Sequence, residues 1–173
     1  MGNAGKVLAI IGATVGVVCV LFSLVVPGLF SWYCQRVSSG GSSANLYLTP
    51  FGTFVGDDFP EPDEIVSLVL IGGILVLAGA SLCIVGVAKE MKSFGIIGGI
   101  LMILGPTLLV FDLIGQVSEF SEDMHILAVA YDGNVFFSNL SPSPGVTITL
   151  GLYFGYVISN VGGVLGLIGG AIG

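Results

Sequence analysis

Charge is what this sequence has least of. Of its 173 residues only 9% are Asp, Glu, Lys or Arg, against about 25% in a soluble domain whose surface must face water. So few charges cannot cover a water-facing surface of this size, which excludes an ordinary cytosolic enzyme. Basic residues are scarcest of all: four Lys and Arg against eleven Asp and Glu give a net charge of −7. A chain so charged repels phosphate backbones, so nucleic acid is excluded as a partner.

Other shortages remove chemistry. His125 is the single histidine, which excludes a haem held by two histidines and argues against a zinc site. The three cysteines, Cys19, Cys34 and Cys83, form no Cys-x-x-Cys pair, and only Cys34 falls in a loop, so no disulfide is expected to frame the loops. No Ser stands with His and Asp in a nucleophile arrangement, and no glycine-rich loop ends in Gly-Lys-Ser/Thr. The sequence therefore offers no catalytic residues, no metal ligands and no cofactor, and points to a non-enzymatic protein.

What is abundant is apolar: 54% hydrophobic residues, 28 glycines and a mean hydropathy of +1.06. A helix crosses a hydrocarbon core with about 20 apolar residues, and four stretches qualify, at about 7–29, 65–88, 94–115 and 146–172. The first is longer than the apolar part of a signal peptide and lacks an Ala-x-Ala-like site, so it reads as an anchor helix. The expected fold is an all-α membrane protein, a four-transmembrane-helix bundle and a single domain, with the lipid bilayer as its solvent.

Lys6 precedes the first span, and Lys89 and Lys92 lie in the link 89–93 between spans two and three. The positive-inside rule puts this side, with both termini, in the cytoplasm, in the cell (plasma) membrane. The outer loops, about 30–64 and 116–145, are acidic: Asp57, Asp58, Glu61, Asp63 and Glu64 in one, Glu119, Glu122, Asp123 and Asp132 in the other.

Lipid gives no hydrophobic drive to helix association, so close packing must supply it. Small residues four apart occur as Gly12/Gly16, Gly95/Gly99, Gly151/Gly155 and Gly162/Gly166/Gly170. The last set lines one helix face over three turns. These faces serve either packing within the bundle or contact with another subunit. Pro106 is expected to kink span three. Asp112, the only acid within a span, reads either as an interfacial group or as an ion or proton site. Asn160 is expected to hydrogen-bond across helices.

In the loops, residues 38–43 read as a flexible Ser/Gly piece. Residues 44–49 and 53–55 read as two strands around the Pro50-Phe51-Gly52 turn. Residues 125–131 and 135–137 flank Asp132-Gly133-Asn134 as a hairpin. Isolated hairpins are marginal in water, so the two loops are expected to pair into one small extracellular β-sheet. Asn139-Leu140-Ser141 is an N-glycosylation sequon that the following Pro142 disfavours.

Gly28-Leu29-Phe30-Ser31-Trp32-Tyr33-Cys34, preceded by Pro27 and set in this four-span plan, resembles the first-loop signature of the claudin-like tetraspan superfamily. The sequence departs from that signature at Phe30, where the family has Trp, in lacking a second loop cysteine, and in offering two first-loop strands rather than four. The resemblance implies a tetraspan whose outer loops are ordered.

The function expected from these features is protein–protein contact, as an adhesion, junction or envelope element or an accessory subunit, in a homo-oligomer or with other membrane proteins. Trp32, Tyr33, Tyr47, Phe51, Phe54, Phe136 and Phe137 are the candidate contact aromatics. The alternatives are a channel or transporter subunit using Asp112 and the Pro106 kink, and a scaffold subunit of a membrane enzyme.

Overall fold

Long uncharged runs leave the backbone to satisfy its own hydrogen bonds, and the helix is the local way to do so. The computed structural model describes residues 1–56, 65–123 and 137–173, with backbone alone at several positions. Five helices are described: α1 (Asn3–Phe22), α2 (Pro27–Phe30), α3 (Ser67–Ala88), α4 (Lys92–Asp123) and α5 (Phe154–Ile172). Four of them are long and apolar enough to cross a membrane: α1, α3, residues Lys92–Ile114 of α4, and α5. The protein is thus mostly helical, with a small antiparallel sheet at one end.

The four long helices close into a ring. α3 packs along α4, α4 along α5, α5 along α1, and α1 along α3, leaving two pairs to face each other diagonally. Glycine makes these approaches possible. A Cβ on Gly12 would lie 2.5 Å from the Gly162 carbonyl oxygen, and one on Gly98 would lie 2.7 Å from Cys83 Sγ. The buried small positions recur every seven residues: Gly5, Gly12 and Cys19 in α1, Gly72, Gly79 and Gly86 in α3, Gly155, Gly162 and Gly169 in α5. Seven is the repeat of a left-handed helix bundle, a longer period than the four-residue spacing noted from the sequence. Ala13, Val76, Ala80, Cys83, Met102 and Leu109 fill the space between the helices. Val7, Ile10, Ile71, Ile74, Ile100, Val157 and Val161 face outward.

The strands are β1 (Tyr33–Ser39), β2 (Ser42–Leu48), β3 (Phe54–Gly56), β4 (Phe137–Ser143) and β5 (Val146–Leu152), in the order β3-β2-β1-β5-β4. Gly40 and Gly41, at φ +58° and +88°, turn β1 into β2. Both values suit the two-residue turn that matches strand twist, and few residues other than glycine adopt them. β1 is the central strand, pairing Tyr33 with Leu48 on one side and Leu152 on the other.

Several boundaries differ from the sequence reading. Span one ends at Phe22 rather than near residue 29, and α2 follows it as a separate turn. Residues 146–152, read as part of span four, are β5. There Thr147 and Thr149 alternate with Val146, Ile148 and Leu150, and Pro144-Gly145 turns the chain before them. α4 continues past residue 115 into what was read as an outer loop. The Ser/Gly piece 38–43 is the tip of a paired hairpin. Strands from both loops do share one sheet, but they do not pair with each other: β4 pairs with β5, and β5, from what was read as span four, pairs with β1. The hairpin read at 125–137 lies outside the described residues except for Phe137, the first residue of β4.

Candidate functional site

The sheet stands on one end of the bundle. Trp32 sits where α2 gives way to β1. A large side chain there either floats at the surface or fills a hole, and it fills one: Trp32 is fully buried. Its Nε1–H donates to Ser159 Oγ of α5 at 3.1 Å, Ser159 donates to Cys19 Sγ of α1 at 3.1 Å, and Cys19 reaches the Gly155 carbonyl at 3.1 Å. Indole, hydroxyl and thiol thus bond in series across three elements, which a buried polar group requires.

A second plug enters beside it. The turn between β2 and β3 carries Pro50 against Gly73 of α3, where any Cβ would strike the Pro50 carbonyl. Thr49 and Thr53 hydroxyls bond at 2.8 Å across the turn. Gly52, at φ +70°, accepts from the Val66 N–H at 2.8 Å, just before α3 begins. Tyr33, Leu48 and Leu150, on one sheet face, join the buried cluster of the helices. The sheet is therefore fixed to the bundle.

The opposite face carries Cys34 and Arg36 on β1, Asn45 and Tyr47 on β2, and Thr149 on β5, paired as Cys34↔Tyr47, Arg36↔Asn45 and Arg36↔Thr149. With Tyr153 these residues line an open cleft of about 190 Å³. Arg36 Nε donates to Asn45 Oδ1 at 2.9 Å. Partial burial pushes the Cys34 thiol up from its usual value, and the neighbouring Arg36 charge pulls it partly back. Tyr47 meets Tyr153 in a tilted contact with ring centroids 5.6 Å apart, and Tyr153 meets Phe154 edge-on at 5.3 Å.

The candidate residues sort by this geometry. Trp32 and Tyr33 are buried anchors rather than contact residues, and Phe51 and Phe54 pack partly against the core. Tyr47 lines the cleft. Phe136 lies outside the described residues, and Phe137 pairs with Gly151 in the sheet. Gly151 belongs to β5, so it forms no helix face with Gly155; Gly155 instead accommodates the Phe30 and Ser31 carbonyls. Gly12, Gly16, Gly95, Gly99, Gly162, Gly166 and Gly170 all meet their own bundle: Gly16 faces Met102, Gly95 faces Gly170, Gly99 faces Leu167 and Gly163, and Gly166 faces Cys83. Asn160 donates to Tyr156 O in its own helix at 2.9 Å, not across helices, because the carbonyl one turn back is within reach of its short side chain. Asp112 is half-buried in α4. Pro106 is buried within a helix that continues beyond it.

The sequence reading missed Ser159, Cys19 and Pro50 as anchors. Ser159 had a signal, since it falls on the same α5 face as Gly155, Gly162 and Gly166.

At the far end of the bundle, Lys6 Nζ bonds Glu90 Oε1 at 2.5 Å, tying α1 to the α3–α4 link. Gly173 packs against Gly5 and Met1, so both termini share this end. Among the described residues no three His, Cys, Asp or Glu side chains come together as a metal site.

No protein-family model and no curated protein matches this chain.

Proposed function

We propose that this chain is a tetraspan integral membrane protein that works by protein–protein contact through the sheet standing on its bundle. Its four apolar helices span the bilayer, and the end carrying Lys6, Lys89 and Lys92 faces the cytoplasm. The sheet then lies outside, in the plasma membrane. One observation carries the contact reading: the small-residue faces are consumed within the bundle, while the sheet is locked to it by Trp32 and Pro50 with its polar face outward. A pre-fixed surface binds without the entropy cost of ordering itself. Adhesion or junction assembly and accessory-subunit roles both follow from such a surface, and a claudin-like relationship is proposed on the same footing.

The test is gentle extraction from the native membrane, followed by sizing and identification of what travels with the chain. Substituting Ser38→Lys with Thr147→Glu, a cross-strand pair on the outward face whose opposite charges suit the β1–β5 pairing, should dissolve the assembly and leave a folded monomer. An assembly unchanged by that pair sinks the sheet as the contact surface. The channel reading draws less support, since Ala13, Val76, Ala80 and Met102 fill the described interior.

A further inference from the structure

The cleft on the outward sheet face joins three features that no helix-packing role uses. It holds Arg36, the only arginine of the chain. A guanidinium has five N–H donors in a fixed fork suited to phosphate oxygens, and the bond to Asn45 uses one. Second, the cleft continues into a line of rings, Tyr47, Tyr153 and Phe154, at centroid separations of 5.6 and 5.3 Å. Third, that line ends on a helix side: Phe154 is 61% exposed at the first turn of α5, above Val157 and Val161. The cleft thus has a cationic head and an apolar, aromatic exit leading down the bundle.

Height matters as well. The headgroup layer on each side of the hydrocarbon is about 5–7 Å thick. Arg36 lies three residues along β1 from the buried Tyr33, about 10 Å at the strand rise, and arginine stems bend their heads toward the phosphate plane.

We propose that this cleft seats the phosphate of an anionic phospholipid, with the Arg36 guanidinium taking the phosphate and the Tyr47, Tyr153 and Phe154 rings guiding its chains onto α5. The proposal rests on the membrane reading above. The bound lipid would be a fixed part of the outer rim of the protein, filling the angle between sheet and bundle. The phosphate chemistry alone is shared with soluble phosphate esters; the aromatic exit is what favours the lipid.

The test uses the full chain. Flotation with phosphatidylcholine vesicles comes first, and a chain that does not float sinks the membrane reading itself. A chain that floats is then purified in neutral detergent and offered equal amounts of phosphatidylglycerol and phosphatidylcholine, with bound lipid counted by native mass spectrometry. The expected result is a preference for phosphatidylglycerol of about fivefold, the worth of one cation at a membrane surface. Arg36→Gln should abolish it. Thr149→Phe, which fills the cleft and keeps the guanidinium, should lower total lipid retention. Lys89→Gln, at the other end, should change neither. Equal retention of both lipids by the unaltered chain overturns the anionic assignment, and an Arg36→Gln profile identical to that of the unaltered chain overturns the site. Displacement of the lipid by millimolar glycerol 3-phosphate overturns the lipid assignment, because a soluble ester would then suffice. Circular dichroism of each variant establishes folding, and Arg36→Lys, which keeps charge without the fork, should retain part of the preference.

Discussion

The indole nitrogen of Trp32 and the hydroxyl of Ser159 meet at 3.1 Å although 127 residues separate them. Ser159→Ala leaves a buried N–H without its acceptor, which costs about 1–3 kcal/mol. Trp32→Phe removes the donor, so the double variant should be less destabilised than the two single losses added together. Thermal unfolding in detergent checks this cycle.

The Gly12 contact with α5 is backbone on backbone, so no side chain can yield to an added methyl. Gly12→Ala should destabilise the bundle by about 2–3 kcal/mol. Gly2→Ala, where nothing lies within 4 Å, should leave the midpoint of unfolding unchanged.

Cys19 and Cys83 are buried, and Cys34 is only partly so. Iodoacetamide should therefore modify one thiol per folded chain. The thiolate is the reactive form, and Cys34 has its pKa raised by burial against the pull of Arg36. The labelling rate should climb with pH to above the ordinary thiol range. Arg36→Gln should slow labelling at any fixed pH below that range, since the cation favouring the thiolate is gone.

The Lys6 ammonium, through its hydrogen bond and its charge, holds the Glu90 carboxyl below its usual range. A carboxyl depressed by folding contributes stability above its unfolded pKa and loses it as pH falls through the folded one. The difference in unfolding temperature between the unaltered protein and Glu90→Gln should be small at pH 7, because the pair is exposed. It should vanish near pH 3 and shrink with added salt.

The four long helices were legible in the sequence because uncharged runs of about 20 residues have few other uses. β1 was not. Tyr33 to Ser39 has no alternation of apolar and polar residues, and its pairing with β5, more than a hundred residues later, leaves no local trace. β5 was absorbed into the neighbouring span because its own apolar residues run on into α5; only the alternating Thr147 and Thr149 marked it as a strand. The outward face was harder still. Arg36 and Tyr47 were visible as residues, but the cleft exists only once β2 and β5 flank β1 and Tyr153 closes its edge. Trp32 misled for a simple reason: at a helix end near lipid an indole commonly anchors at the interface, and the hole that takes it here is made by other helices.

The β1–β5 pairing also sets an order in time. During synthesis β1, β2 and β3 emerge long before β5, with α3 and α4 made in between. Until then one edge of β1 has no neighbour strand, and the indole of Trp32 has no Ser159 to meet. β5 and α5 are contiguous in the chain, so one stretch supplies both the last neighbour strand of β1 and the Ser159 that receives the indole. A chain truncated before residue 146 would lack that strand, leaving an open edge of β1 as a template for pairing with other chains.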